Sequence, residues 1–377
     1  MGDVQVIRVL VVDDSAVARE FLSHAVASDP ALRVAGTARN GDEAVAAVRD
    51  LKPDVVLMDV VMPGMDGLAA TRAIMSSTPT PIVLVSASFE AGEVGQTFRA
   101  MEAGALAALP KPTGVAHPDH ERQVRSLTQT LRLMSEVKVV RRREMLAPSA
   151  ASRPVAVPQR RGGRPDLVAI GASTGGPGAI NEILRGLPRG FALPILVVQH
   201  IAAGFVQGFA EWLGDSGGLP VAVAAGGERP LPGYVYVAPD GRQMGLDRQG
   251  RIAVRDDPPE AGLRPSVSYL FRSVAEVPGL TAVAILLSGM GKDGAAELGV
   301  LRERGAVTLA QDRESCVVFG MPGEAVARGA ATYVLPPAGI AEYLSACCPG
   351  VGGEGAGRAS GGVGQVRDAA GRAGRGE

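Results

Sequence analysis

The chain has 377 residues, is 46% hydrophobic and 20% charged, and carries a formal net charge of −1 at pH 7. That length accommodates two domains, the apolar content excludes a wholly disordered chain, and the charge balance gives no footprint for nucleic acid. Without an apolar run of about 18 residues, a signal-peptide pattern or a CxxC spacing among Cys316, Cys347 and Cys348, the expectation is a cytoplasmic protein with no membrane insertion, disulfide framework or zinc site.

Residues 6–137 alternate short apolar runs with helix-period segments. Strands are expected at 7–12, 32–38, 54–58, 81–85 and 105–109. Helices are expected near 15–28, 41–51, 66–77, 91–103 and 119–137. Five βα units in this order imply a five-stranded parallel sheet covered by helices on both faces. Ligands bind such sheets at the carboxyl ends of the strands, and the polar residues fall there. Asp13 and Asp14 follow the first strand, Asp59 the third, Ser86 the fourth and Lys111 the fifth. Three carboxylates in one cleft repel each other unless a cation joins them, and oxygen ligands of this kind suit Mg²⁺. A hydroxyl and an ammonium opposite would hold the remaining oxygens of a phosphoryl group.

With Met62-Pro-Gly-Met-Asp-Gly67 and Lys111-Pro112, these residues closely resemble the receiver domain of bacterial response regulators. The resemblance implies that Asp59 is the phosphoacceptor, supplied by a histidine kinase. It implies that Asp13 and Asp14 hold Mg²⁺ with Asp59, and that Ser86 and Lys111 respond to the phosphate. Receivers often carry Phe or Tyr three residues before this lysine; here the position is Ala108.

Residues 138–165 hold eight basic residues against one acid, Glu144, together with four prolines. This segment reads as an exposed basic linker. Residues 166–346 form a second αβ series and a wound, mainly parallel sheet. Strands are expected at 166–172, 194–199, 221–224, 281–287, 306–310 and 331–335, and an inserted antiparallel hairpin or two at 234–255. Helices are expected at 177–185, 205–213, 265–277, 294–304, 322–328 and 337–346. The last 28 residues, 350–377, contain 11 glycines and almost no large apolar side chain, so disorder is expected.

Within the second series, Gly171-Ala-Ser-Thr-Gly-Gly176 links a strand to a helix. Ser173 therefore stands on a tight turn beside the free N–H groups of a helix start. Alone, the motif fits a nucleophile elbow only weakly and also fits a glycine-rich turn closing a βα unit, or a phosphate cradle. His200 is the single histidine of this domain and ends the second strand; Asp293 lies in a glycine-flanked loop just past the fourth. All three follow carboxyl ends of parallel strands, which favours a nucleophile, a base and the carboxylate that orients it. The chain order Ser, His, Asp differs from the α/β-hydrolase order.

These residues, with Tyr236-Val-Ala-Pro239, Arg264-Pro-Ser-Val267, Ser288-Gly-Met-Gly291 and Phe319-Gly-Met-Pro322, resemble the catalytic domain of the chemotaxis protein-glutamate methylesterases. The resemblance implies Ser173 as nucleophile, His200 as base and Asp293 as its partner. It also implies Met290 as a source of an oxyanion N–H and Thr174 as support. It implies hydrolysis of glutamate γ-methyl esters, and deamidation of glutamine, on the cytoplasmic helices of chemoreceptors, with no cofactor for the ester step and the chain expected as a monomer. A receiver packed over the Ser173 edge would gate that activity. Five family positions differ. Ile201-Ala202 replaces Met-Pro, Val206 replaces Thr, Gln243 replaces a histidine and Ser268 replaces an aspartate. Two other readings stay open on this basis: a phospho-switched binding module with an inactive hydrolase domain, or an esterase for a different signalling receptor.

Overall fold

A computed structural model describes residues 6–86, 91–137, 139 and 165–347. The first domain runs β1 (Ile7–Val12), α1 (Ala16–Ala27), β2 (Leu32–Ala38), α2 (Gly41–Leu51), β3 (Val55–Asp59), α3 (Gly67–Ser77), β4 (Ile82–Ser86), α4 (Ala91–Glu102), β5 (Ala107–Pro110) and α5 (His120–Ser135). Its five strands are parallel in the order β2-β1-β3-β4-β5. Every residue of β3 and β4 is buried, as the unbroken apolar runs demand of strands covered on both faces. Ser15, Asn40 and Asp66 start α1, α2 and α3 by accepting from backbone N–H groups three residues on. Asp59 and Ser86 are the last residues of their strands, which run one position further than expected, and so are fixed by the sheet's own hydrogen bonding.

The second domain continues with β6 (Leu167–Ala172), α6 (Gly176–Gly186), β7 (Ile195–Gln199), α7 (Val206–Gly217), β8 (Val221–Val223), β9 (Val235–Val237), β10 (Gln243–Leu246) and β11 (Ile252–Arg255). It closes with α8 (Val267–Glu276), β12 (Ala282–Leu286), α9 (Ala295–Glu303), β13 (Val307–Gln311), α10 (Met321–Ala327), β14 (Tyr333–Leu335) and α11 (Pro337–Cys347). Seven strands form one sheet, β14-β13-β12-β6-β7-β9-β8, and each of its pairings is parallel.

One expectation is corrected here. The start of the 234–255 segment is not part of a hairpin: β9 lies between β7 and β8 in the main sheet. Its three residues are all buried, so its apolar side chains serve both faces. Only β10 and β11 pair antiparallel, as a separate two-stranded ribbon. The basic linker expected at 138–165, apart from 139 and 165, and the glycine-rich tail expected at 350–377 lie outside the described residues.

The two domains pack against each other through α4, α6 and α7. Phe98 of α4 is fully buried among the side chains of the second domain's core. Its ring lies 5.2 Å from that of Phe209 and 5.3 Å from that of Trp212, centroid to centroid. Arg185 of α6 pairs with Glu102 at the end of α4, at 3.1 Å. Val317 and Val318, in the loop after β13, pack against the first domain's core.

Candidate active site

The turn after β6 carries Ser173. Its N–H donates to the carbonyl of Ser288, 3.0 Å away in the turn after β12. Two glycines make that approach possible. Gly175 adopts φ +80°, and a Cβ there would lie 2.6 Å from Val317 Cβ. A Cβ on Gly289 would lie 2.6 Å from the Cβ of Ser173 itself. Both distances are below any real non-bonded contact, so larger residues would push the serine turn out of place. Ser288 fastens the same turn from the other side: its hydroxyl donates to the Thr174 carbonyl at 2.7 Å and accepts from Val318 N–H at 3.0 Å.

His200 follows β7 directly. Its backbone N–H donates to the Ala172 carbonyl at 2.9 Å, which draws it to the end of β6 where the serine turn begins. Gln199 joins the two residues: its buried side-chain amide donates to the carbonyls of Ser173, at 2.8 Å, and His200, at 2.9 Å. Ser173, Thr174 and His200 line one cavity. The Ser173 hydroxyl makes no hydrogen bond to the imidazole, which is an ordinary condition for a site without substrate.

Asp293 completes the arrangement. His200 Nε2 lies 2.9 Å from Asp293 Oδ2. An ionised carboxylate only accepts, so Nε2 carries a proton, and in the neutral ring Nδ1 holds the lone pair. The ring is thus turned opposite to the Ser-His-Asp template, in which Nδ1 faces the carboxylate. Three further donors converge on Asp293. Val267 N–H lies 2.6 Å away, Ser268 N–H 3.0 Å and the Ser266 hydroxyl 3.0 Å. Ser266 is the N-cap of α8, so the carboxylate rests on a helix N-terminus, where backbone N–H groups and the helix dipole favour negative charge. The Asp293 side chain is 8% exposed. Burial alone would raise its pKa, but the His200 and Ser268 hydrogen bonds outweigh it and hold the carboxyl well below the usual carboxylate range.

Two of the departing positions support this carboxylate. Gln243 is fully buried; its Oε1 accepts from Ser266 N–H at 2.9 Å, steadying the start of α8. The Ser268 hydroxyl accepts from Gly294 N–H at 2.9 Å and donates to Glu297 at 2.7 Å. Gln199, Ser266 and Ser288 were not singled out from sequence. Their only signal was position within or beside the quoted motifs. Met290 N–H donates to no acceptor among the described residues, as an oxyanion donor requires. Cys316 lies close by, but burial pushes its thiol up to about 12, so it is no competing nucleophile.

The first domain has its own cluster at the carboxyl edge of its sheet. Ligand oxygens of Asp13, Asp14 and Asp59 lie within 4.8 Å of one another. Lys111 Nζ lies 2.7 Å from Asp59 Oδ2 and 2.7 Å from Asp13 Oδ2. Asp13 Oδ2 is buried, and the Lys111 ammonium beside it neutralises its charge. A donor set of three carboxylates fits Mg²⁺. Burial raises the Asp59 pKa against the lowering pull of Lys111. Burial opposes the Lys111 charge, but its bonds to Asp13 and Asp59 raise its pKa on balance. Ser86 is buried at the end of the adjacent strand.

The first domain roofs the second domain's site. The cavity holding Ser173 and His200 is also lined by Phe98, Leu106, Ala108 and Pro110. Its volume is about 310 Å³.

Two family models match separate parts of the chain. Residues 9–117 match the response regulator receiver domain model and residues 168–344 match the CheB methylesterase model. A Nitrosospira multiformis protein named protein-glutamate methylesterase/protein-glutamine glutaminase is 54% identical over 341 residues, covering 90% of this chain and 96% of that protein. A Geobacter metallireducens protein of the same name is 54% identical over 344 residues, covering 90% and 98%. Among solved structures, the Thermotoga maritima CheB methylesterase catalytic domain is 38% identical, covers 48% of this chain and 97% of its own, and has a TM-score of 0.46.

Proposed function

Because this chain belongs to the protein-glutamate methylesterase/protein-glutamine glutaminase family, we propose that Ser173, His200 and Asp293 form its hydrolytic triad and that phosphorylation of Asp59 governs access to it. The chain hydrolyses glutamate γ-methyl esters on chemoreceptors and deamidates glutamine there, as part of chemotactic adaptation. Ser173 Oγ attacks the ester carbonyl while His200 Nδ1 takes its proton. Methanol leaves with that proton, and an acyl-enzyme remains. Water, deprotonated by the same nitrogen, releases glutamate and restores the serine. Glutamine follows the same course with ammonia as leaving group. Asp293 fixes the tautomer and stabilises the imidazolium. The N–H of Met290 offers charge stabilisation to the oxyanion, worth about 3–4 kcal/mol if aligned.

The observation that carries this reading is the His200–Asp293 pair, with its carboxylate seated on the α8 N-terminus and its imidazole sharing a cavity with Ser173. The bonds made by Gln243 and Ser268 count against the inactive-module reading, since both departures still brace Asp293.

Regulation follows from the roof. A receptor helix is about 10 Å across with its side chains, too wide for a cavity of about 310 Å³. The docked receiver therefore excludes the receptor, and phosphorylation shifts the population towards an undocked form. Asp13, Asp14 and Asp59 would hold Mg²⁺, which supplies charge neutralisation for phosphoryl transfer from a histidine kinase. No described helix is long and apolar enough to cross a membrane; the receptor's cytoplasmic helices place the activity in the cytoplasm. The test is methanol release from methylated receptor membranes, with and without phosphodonor. Ser173→Ala is expected to lose at least ~10³-fold, and Asp59→Ala to lose stimulation only. Near-normal release by Ser173→Ala would refute the assignment.

A further inference from the structure

The docked receiver does not seal the nucleophile. Beside Ser173 and His200 it leaves a largely apolar cavity of about 310 Å³, partly open to solvent. Its receiver wall includes Ala108 of β5, where a large aromatic side chain would fill space. The catalytic-domain wall includes Pro177, Ile201 and Ala202. This volume sits at the small end of small-molecule sites, ~300–1,000 Å³. It can hold a short acyl chain and a small alcohol or phenol, but no helix.

We propose that the resting, unphosphorylated protein is a hydrolase for short-chain carboxylic esters, a substrate class that its docked receiver admits while excluding receptor helices. The inference rests on Ser173 being the nucleophile. Ser173 Oγ bonds to the acyl carbon and His200 Nδ1 takes its proton. The carbon–oxygen ester bond breaks, the alcohol leaves with the proton from His200, and one water hydrolyses the acyl-serine to the free acid. Apolar walls from both domains hold the acyl and alcohol parts, so the docked form is itself the competent state. Two substrates then separate two states of one catalytic centre: receptor esters report the open form, and small esters report the closed one.

The experiment follows p-nitrophenol release from p-nitrophenyl butyrate by the full chain, beside methanol release from methylated receptor membranes. Without phosphodonor, wild type is expected to hydrolyse the butyrate at least tenfold faster than Ser173→Ala. Phosphodonor is expected to change that rate less than threefold while raising methanol release at least tenfold. Ala108→Phe, which fills the cavity, is expected to lower kcat/KM for the butyrate at least tenfold. Its phosphodonor-stimulated methanol release reads whether the triad in that variant is assembled. Three results would overturn the inference: wild-type butyrate hydrolysis no faster than Ser173→Ala, stimulation of both substrates in parallel, or an Ala108→Phe variant unchanged towards the butyrate. If instead Ser173→Ala still released methanol from receptor, the triad assignment itself would fail.

Discussion

Phe98→Ala is the perturbation that bears most directly on gating. Phe98 belongs to the receiver by sequence but is 0% exposed, inside a cluster made of catalytic-domain side chains. In an undocked form that ring returns to water, so truncating it weakens the docked state alone. Burying one such side chain stabilises by about 1.5–3 kcal/mol. The ring contacts with Phe209 and Trp212, at 5.2 and 5.3 Å, add about 0.5–1.5 kcal/mol. The docking equilibrium should therefore move by about 2–4 kcal/mol, roughly 30- to 1,000-fold. Methanol release without phosphodonor should rise until the open form dominates, and phosphodonor should then add little. Arg185→Ala provides the contrast. The Arg185–Glu102 pair crosses the same interface but is half-exposed, so its loss should cost about 0–1 kcal/mol and change the basal rate less than about fivefold. Phosphoryl uptake at Asp59 in Phe98→Ala verifies an intact receiver. If that protein takes up phosphoryl and its basal methanol release matches wild type, steric gating through α4 is wrong.

The depressed pKa of Asp293 gives a stability prediction. A carboxyl whose folded pKa lies below its unfolded value, ~3.9, contributes stability that is present above that value and lost as pH falls through the folded one. The stability difference between wild type and Asp293→Asn should be constant from neutral pH down to about pH 5 and shrink below about pH 4. Unfolding measured along a pH series checks this, and a difference independent of pH would count against it. The Cys316 thiol, pushed up to about 12, should resist alkylation at pH 8 in the native protein. Mass spectrometry after a thiol-alkylating reagent reads this, and rapid labelling of Cys316 in folded protein would contradict the burial argument. Ser266→Ala removes a hydroxyl bond to an ionised group, worth about 1.5–3 kcal/mol. Its kcat for methanol release should fall about tenfold or more while receptor KM changes little.

Both sheets were legible in the sequence because their signal is local. Buried parallel strands such as β3, β4, β6 and β12 need unbroken apolar runs, and the βα alternation then dictates parallel pairing. The same rule sends every strand's carboxyl end to one edge, so Asp13, Asp59 and Lys111, and separately Ser173, His200 and Asp293, could be grouped without coordinates. The place of β9 was not legible. A three-residue apolar strand has the same pattern in a ribbon as in a sheet, and only its pairing with β7 and β8 distinguishes them. The support of Asp293 was also hidden, because Ser266, Val267 and Ser268 donate from a helix start some 25 residues away in sequence.

The sequence by itself determined two wound domains and the strand ends on which their reactive groups stand, since hydrophobic periodicity and chain direction are carried by neighbouring residues. The tertiary structure alone decided which imidazole nitrogen faces the carboxylate, that Phe98 docks one domain on the other, and that Ala108 lines an open cavity beside Ser173. Those features depend on packing between segments far apart in the chain, and packing complementarity has no period along a sequence.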